Sequence, residues 1–156
     1  MVAGRTSGPI GRGALPPSGS SKIYTFAIMN KTLDAFIVQD TCNILDAMKE
    51  INNNTKGFLV VVNSDKVVGV ITDGDIRRAI INGATTDDCI ADSIVRKYTS
   101  LSPSNDISDV IEIFKNKAIK FLPVLNSEEE LINILTKAQL HSLFASGHSC
   151  RYVIRF

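Results

Sequence analysis

The chain repeats itself, and that constrains its fold more than any other feature. Shifted by 63 residues, Ile44, Asp46, Ala47, Met48 and Ile51 fall on Ile107, Asp109, Val110, Ile111 and Phe114. The same shift lays Phe58-Leu59-Val60-Val61-Val62-Asn63 on Phe121-Leu122-Pro123-Val124-Leu125-Asn126. Past one inserted residue the offset becomes 64, and Val67-Val68-Gly69-Val70-Ile71-Thr72 meets Leu131-Ile132-Asn133-Ile134-Leu135-Thr136. The insertion falls in a turn, where a surface loop absorbs it at least cost. The chain therefore holds two copies of one unit.

Each copy reads helix, strand, turn, strand, helix. Asn43 with Asp46 three residues on marks a helix start, and Ile44, Ala47, Met48 and Ile51 follow at helical spacing. Asp106 and Asp109 repeat the signal. Phe58–Val62 is almost wholly apolar, as a strand buried on both faces must be. Asn63-Ser64-Asp65 turns the chain into a return strand over Val67–Ile71. A second helix is expected from Asp73 to Ile81, closed by Asn82-Gly83. Its counterpart runs from Lys137 to Ser146, ended by Gly147. A unit of about 55 residues buries too little surface to be secure alone, so the two should pack sheet against sheet. The expected division is a Gly-, Pro- and Ser-rich tail over 1–21, units over 22–85 and 86–148, and a terminal segment over 149–156.

Several classes of function find no support. Seventeen basic residues against sixteen acidic ones give a net charge of +1, which provides no field to gather nucleic acid or a membrane surface. Cys42, Cys89 and Cys150 form neither a C-x-x-C pair nor a disulfide framework, and His141 and His148 lack neighbours at metal-ligand spacing. Free thiols and the lack of a long apolar run point to the cytoplasm. No P-loop, G-x-S-x-G elbow or other catalytic motif is present, so no enzyme activity is expected.

One string carries chemistry: Gly69-Val70-Ile71-Thr72-Asp73-Gly74-Asp75-Ile76-Arg77-Arg78. A strand here runs into a helix N-terminus, where free N–H groups and the helix dipole favour a phosphate. The Thr72 hydroxyl stands at the same spot. Asp75 offers two carboxylate oxygens, enough for both hydroxyls of a ribose. Gly69 lets the backbone come close to a flat base, and Val70 beside it is a candidate ligand-binding residue. Arg78 lies about 60° around the helix from Asp75 and could face the same ligand, whereas Arg77, about 160° away, should not. A plainer reading makes Thr72 and Asp75 a capping box and Asp75–Arg78 a surface pair. A third, an Asp73-x-Asp75 metal pair, lacks the further oxygen ligands a calcium loop needs.

The duplicated unit and this string together resemble CBS (cystathionine-β-synthase-type) domains over about residues 33–146. Nucleotide-binding members of that family carry Gly-hydrophobic-x-Thr/Ser-x-x-Asp here, and Gly69, Thr72 and Asp75 match. The resemblance implies an α/β (α+β) fold of two units. Each would be helix–strand–strand–helix with a short extra strand, and the two would pack about a pseudo-two-fold axis. It further implies a cleft ligand such as AMP, ADP, ATP or S-adenosylmethionine, assembly as a homodimer, and no required cofactor. The T-D-G-D-I-R-R string is similar to modules joined to bacterial sugar-phosphate nucleotidyltransferases and isomerases, which implies a partner of that kind. The second copy keeps Thr136 but has Asn133 for Gly69 and Gln139 for Asp75, so its site is expected to be the weaker. A structural dimerisation module without ligand is the remaining alternative.

Overall fold

The computed structural model describes residues 33–145. The tail expected over 1–21, the start of the first unit, the helix end at Ser146-Gly147 and the segment 149–156 lie outside the described residues. The first unit begins with a short 3₁₀ turn (Leu33–Phe36) and strand β1 (Ile37–Gln39), then helix α1 (Ile44–Asn54). Strands β2 (Phe58–Asn63) and β3 (Lys66–Thr72) and helix α2 (Asp73–Ile81) complete it. A connecting segment with a 3₁₀ turn (Ile90–Ser93) leads to α3 (Ile107–Asn116), β4 (Phe121–Leu125), β5 (Leu131–Thr136) and α4 (Lys137–Ala145).

The helices start where side chains can satisfy free N–H groups. The Asn43 side-chain oxygen accepts from the Asp46 N–H at 2.8 Å, and Asp106 and Asp109 form a capping box on α3. β1 pairs parallel to β2 with Val38 opposite Val61, and β2 pairs antiparallel to β3. Leu101 makes the matching parallel contact with β4: its N–H donates to the Pro123 carbonyl, and its own carbonyl accepts from Leu125 N–H, both at 2.8 Å. Val38/Val61 and Leu101/Val124 are related by the offset of 63, as are the bulges at Val61/Val62 and Val124/Leu125. The repeat in the sequence is a repeat in register.

Strand β2 divides its apolar residues between two cores. Leu59 and Val61 face the helices of their own unit, with Ile44, Ala47, Ile71 and Ile76. Phe58, Val60 and Val62 face the other unit and meet Leu125 and Ile134. The Phe58 and Phe121 rings stack with centroids 3.7 Å apart. At the hairpin tips Lys66 bridges Glu130, with the Val67 N–H donating to the Glu129 carbonyl at 2.9 Å. Residues that meet their own repeat equivalents lie on a local two-fold axis. The sheets thus pack face to face, as the size of one unit requires.

The connecting segment belongs to both units. Ile90 and Ile94 are buried in the first unit's core. Val95 exchanges two backbone hydrogen bonds with Val70, at 2.8 and 3.1 Å, and so extends the first sheet beyond β3. Leu101 then joins β4.

Candidate functional site

Strand β3 delivers Thr72, in extended conformation, to the N-terminus of α2. Asp75 folds back on it. Its Oδ2 accepts from the Thr72 N–H at 2.9 Å and from the Thr72 hydroxyl at 2.6 Å, while the Asp75 N–H donates to Thr72 Oγ1 at 3.3 Å. The other oxygen, Oδ1, meets the Arg78 guanidinium. The capping box and the surface pair are therefore both formed. The Asp75 side chain keeps 11% of its surface exposed, and Arg78, at 69%, sits in solvent where an ion pair adds little stability.

Beside this cap lies a cleft of about 560 Å³, within the size range of small-molecule sites. Phe58, Val70, Thr72, Asp73, Gly74, Asp75 and Arg77 of the first unit line it, with Lys56 and Gly57 at the turn before β2. The connecting segment adds Val95, Lys97, Tyr98 and Thr99, and the second unit adds Ala118, Ile119, Lys120, Phe121 and Pro123. Both units thus build one cavity, whose lining combines apolar side chains with charged ones. Burial pushes the Tyr98 phenol above its ordinary value, and Glu129 nearby adds to the effect. Its hydroxyl therefore stays protonated at neutral pH and donates to the Val67 carbonyl at 3.4 Å.

Of the residues singled out in the sequence, Val70, Thr72 and Asp75 line the cleft, and Gly69, Arg78 and Thr136 do not. At Gly69 the close approach is that of the protein's own backbone. A Cβ there would strike the Ile94 side chain and come within 2.7 Å of the Val95 carbonyl oxygen, so the glycine makes room for the connecting segment. Thr136 caps α4: its N–H and hydroxyl donate to Gln139 Oε1 at 2.8 and 2.9 Å. Arg78 reaches Asp75, as the helix angle suggested, whereas Arg77, expected to face away, lines the cleft. Arg77 lies on the cleft wall and pairs with Asp73 at 2.6 Å, four residues earlier on the same helix face. Arg78 pairs with Oδ1 of Asp75, the oxygen that Thr72 leaves unused.

Sequence reasoning missed Lys56, Lys97, Tyr98 and Lys120. A partial signal existed, since the offset of 63 lays Lys120 on Gly57 beside the stacked phenylalanines. Nothing in the periodicity marked Lys97 or Tyr98. Among the described residues no helix is long and apolar enough to cross a membrane.

A mixed α/β module of two repeated units, with a cleft between them, is the class these features define. Residues 26–82 and 90–145 each match the CBS domain family, and the chain belongs to it. It is similar to the arabinose 5-phosphate isomerase GutQ of Escherichia coli K12, with 28% identity over 92 residues. That alignment covers 58% of this chain and 29% of the isomerase, so the chain spans less than a third of that relative. Among solved structures, CBSX2 in complex with AMP superposes with a TM-score of 0.65 at 19% identity, covering 72% of this chain and 89% of that one. The CBS domain pair of protein MJ0100, in complex with 5′-methylthioadenosine and S-adenosyl-L-methionine, gives 0.60 at 23%, covering 70% and 90%.

Proposed function

We propose that this chain is a regulatory module, without catalysis of its own, that holds an adenosyl ligand in the cleft between its two units. The observation that carries this reading is the Thr72–Asp75 pair on the wall of a cavity built by both units. Asp75 would take the two ribose hydroxyls, displacing the exposed Arg78 from Oδ1. Phe58, Val70 and Phe121 offer apolar surface for a base. Structural neighbours in complex with AMP, 5′-methylthioadenosine and S-adenosyl-L-methionine support the choice of adenosyl chemistry. A ligand touching both units can shift their relative arrangement by its differential affinity for two states, which is what a sensor requires.

The two Thr-x-x-Asp/Gln positions should differ in strength. A hydrogen bond to a charged group contributes roughly 1.5–3 kcal/mol, against about 1 for a neutral one. The Gln139 position should therefore bind roughly several-fold to thirty-fold more weakly than the Asp75 position. Calorimetry with AMP and ATP should find one tight ligand per chain, lost in Asp75→Asn and retained in Gln139→Ala. Asparagine keeps an oxygen to accept from Thr72, so the cap and the fold survive the test. Tight binding that persists in Asp75→Asn would leave Asp75 with the cap alone.

The likeness to GutQ favours a second, compatible reading, in which the regulated partner is a sugar-phosphate enzyme. A homodimer belongs to the same proposal. Leu45 and Met48 of α1 and Ile80 and Ile81 of α2 remain exposed, an apolar surface suited to a second copy.

A further inference from the structure

We infer that the cleft selects its ligand by charge, holding an adenosine polyphosphate through three converging lysines and disfavouring the sulfonium S-adenosylmethionine. The inference rests on the adenosyl reading above and adds which adenosyl compound the cleft takes. Lys56, Lys97 and Lys120 come from three separate stretches: the turn before β2, the connecting segment, and the turn before β4. The stack of Phe58 on Phe121 brings the first and third of these turns to the same mouth.

None of the three lysines forms an ion pair among the described residues. The acidic groups on the wall are already engaged, Asp73 by Arg77 and Asp75 by Arg78. Counting Arg77, the lining holds four cations against two carboxylates, an excess of positive charge in a chain that is nearly neutral as a whole. Like charges gathered in a cleft repel one another and focus a field that an anion relieves. The first turn of α2 carries both carboxylates, each matched by an arginine, so that helix end offers a phosphate no excess of positive charge beyond its dipole. The ribose end and the phosphate end of the site are therefore separate: Thr72 and Asp75 at one, the lysines at the other. S-adenosylmethionine, whose sulfonium and ammonium outweigh its single carboxylate, would meet the lysines with a net positive charge.

Calorimetry on the full chain tests this with adenosine, 5′-methylthioadenosine, S-adenosylmethionine, AMP, ADP and ATP, each at low and high salt. Affinity should rise from adenosine through AMP to ADP or ATP by at least about tenfold. That gain should shrink at high salt, since screening weakens exposed charge pairs. S-adenosylmethionine should bind more weakly than uncharged 5′-methylthioadenosine. In the Lys97→Ala/Lys120→Ala double variant, the ratio of ATP to adenosine affinity should fall toward one. Equal affinity for adenosine and ATP, or preference for S-adenosylmethionine, would overturn the charge selection and leave the adenosyl reading standing. Failure of every adenosine compound to bind would overturn both.

Discussion

Asn133 stands in the middle of β5, wholly buried, and neither polar atom of its side-chain amide has a hydrogen-bond partner. A buried amide left in this state costs roughly 1–3 kcal/mol relative to one that is satisfied or replaced by an apolar group. Asn133→Val removes the polar atoms and suits a strand, so it should raise stability by about that amount. Urea denaturation reads the change directly as a higher midpoint at unchanged slope. A lower midpoint would mean that the amide contributes something the folded contacts do not show. Its repeat equivalent, Gly69, solves the opposite problem. It sits opposite Val61 as Asn133 sits opposite Val124, yet it has no room for even a methyl group.

At the scale of elements, that lack of room decides how the connecting segment is held. Gly69→Ala would push a Cβ into the Val95 carbonyl and the Ile94 side chain, and overpacking of this kind costs about 1–3 kcal/mol. The loss should appear without any ligand, as a lower melting temperature and faster amide exchange at Val70 and Val95. Unchanged exchange at those two positions would return Gly69 to the role of clearing space for a base. Helix α2 was legible from sequence at both its ends, because Thr72, Asp75 and Asn82-Gly83 are local punctuation there. The strand expected over Val67–Ile71 extends by one residue each way. Lys66 gains a bridge to Glu130 and Thr72 pairs with Phe58, and neither partner is local. The same limit explains the site. Thr72 and Asp75 are three residues apart and announce themselves, while Lys56, Lys97 and Lys120 converge only when two units and their connection assemble.

At the scale of the molecule, the interface between the sheets works as a core in its own right. Phe58, Val60, Val62, Val67, Val70, Leu125 and Ile134 are buried there, and each fully buried side chain of this kind contributes about 1.5–3 kcal/mol relative to exposure. Neither unit could keep that surface in water unaided. The cleft inherits its shape from this arrangement, because Phe58, Val70 and Phe121 belong at once to the interface and to the cavity wall. Whatever alters the packing of the two sheets alters the ligand site.

The path of the connecting segment along β3 also sets an order for synthesis. Until Val95 has been made, the outer edge of β3 lacks the two hydrogen bonds that Val70 will share with it, and Ile90 and Ile94 are missing from the first core. An open strand edge invites pairing with other chains. Residue 95 follows residue 72 by 23 positions, so at about 5–20 residues per second the edge stays open for roughly one to five seconds. Ribosome-stalled chains should show the interval. Those with residue 85 just outside the exit tunnel should be cut within the first unit by a mild protease, and those with residue 100 outside should resist. Full resistance at the shorter length would show that β3 does not wait for its last neighbour. A cell making this protein would then have no need of a chaperone at that point in translation.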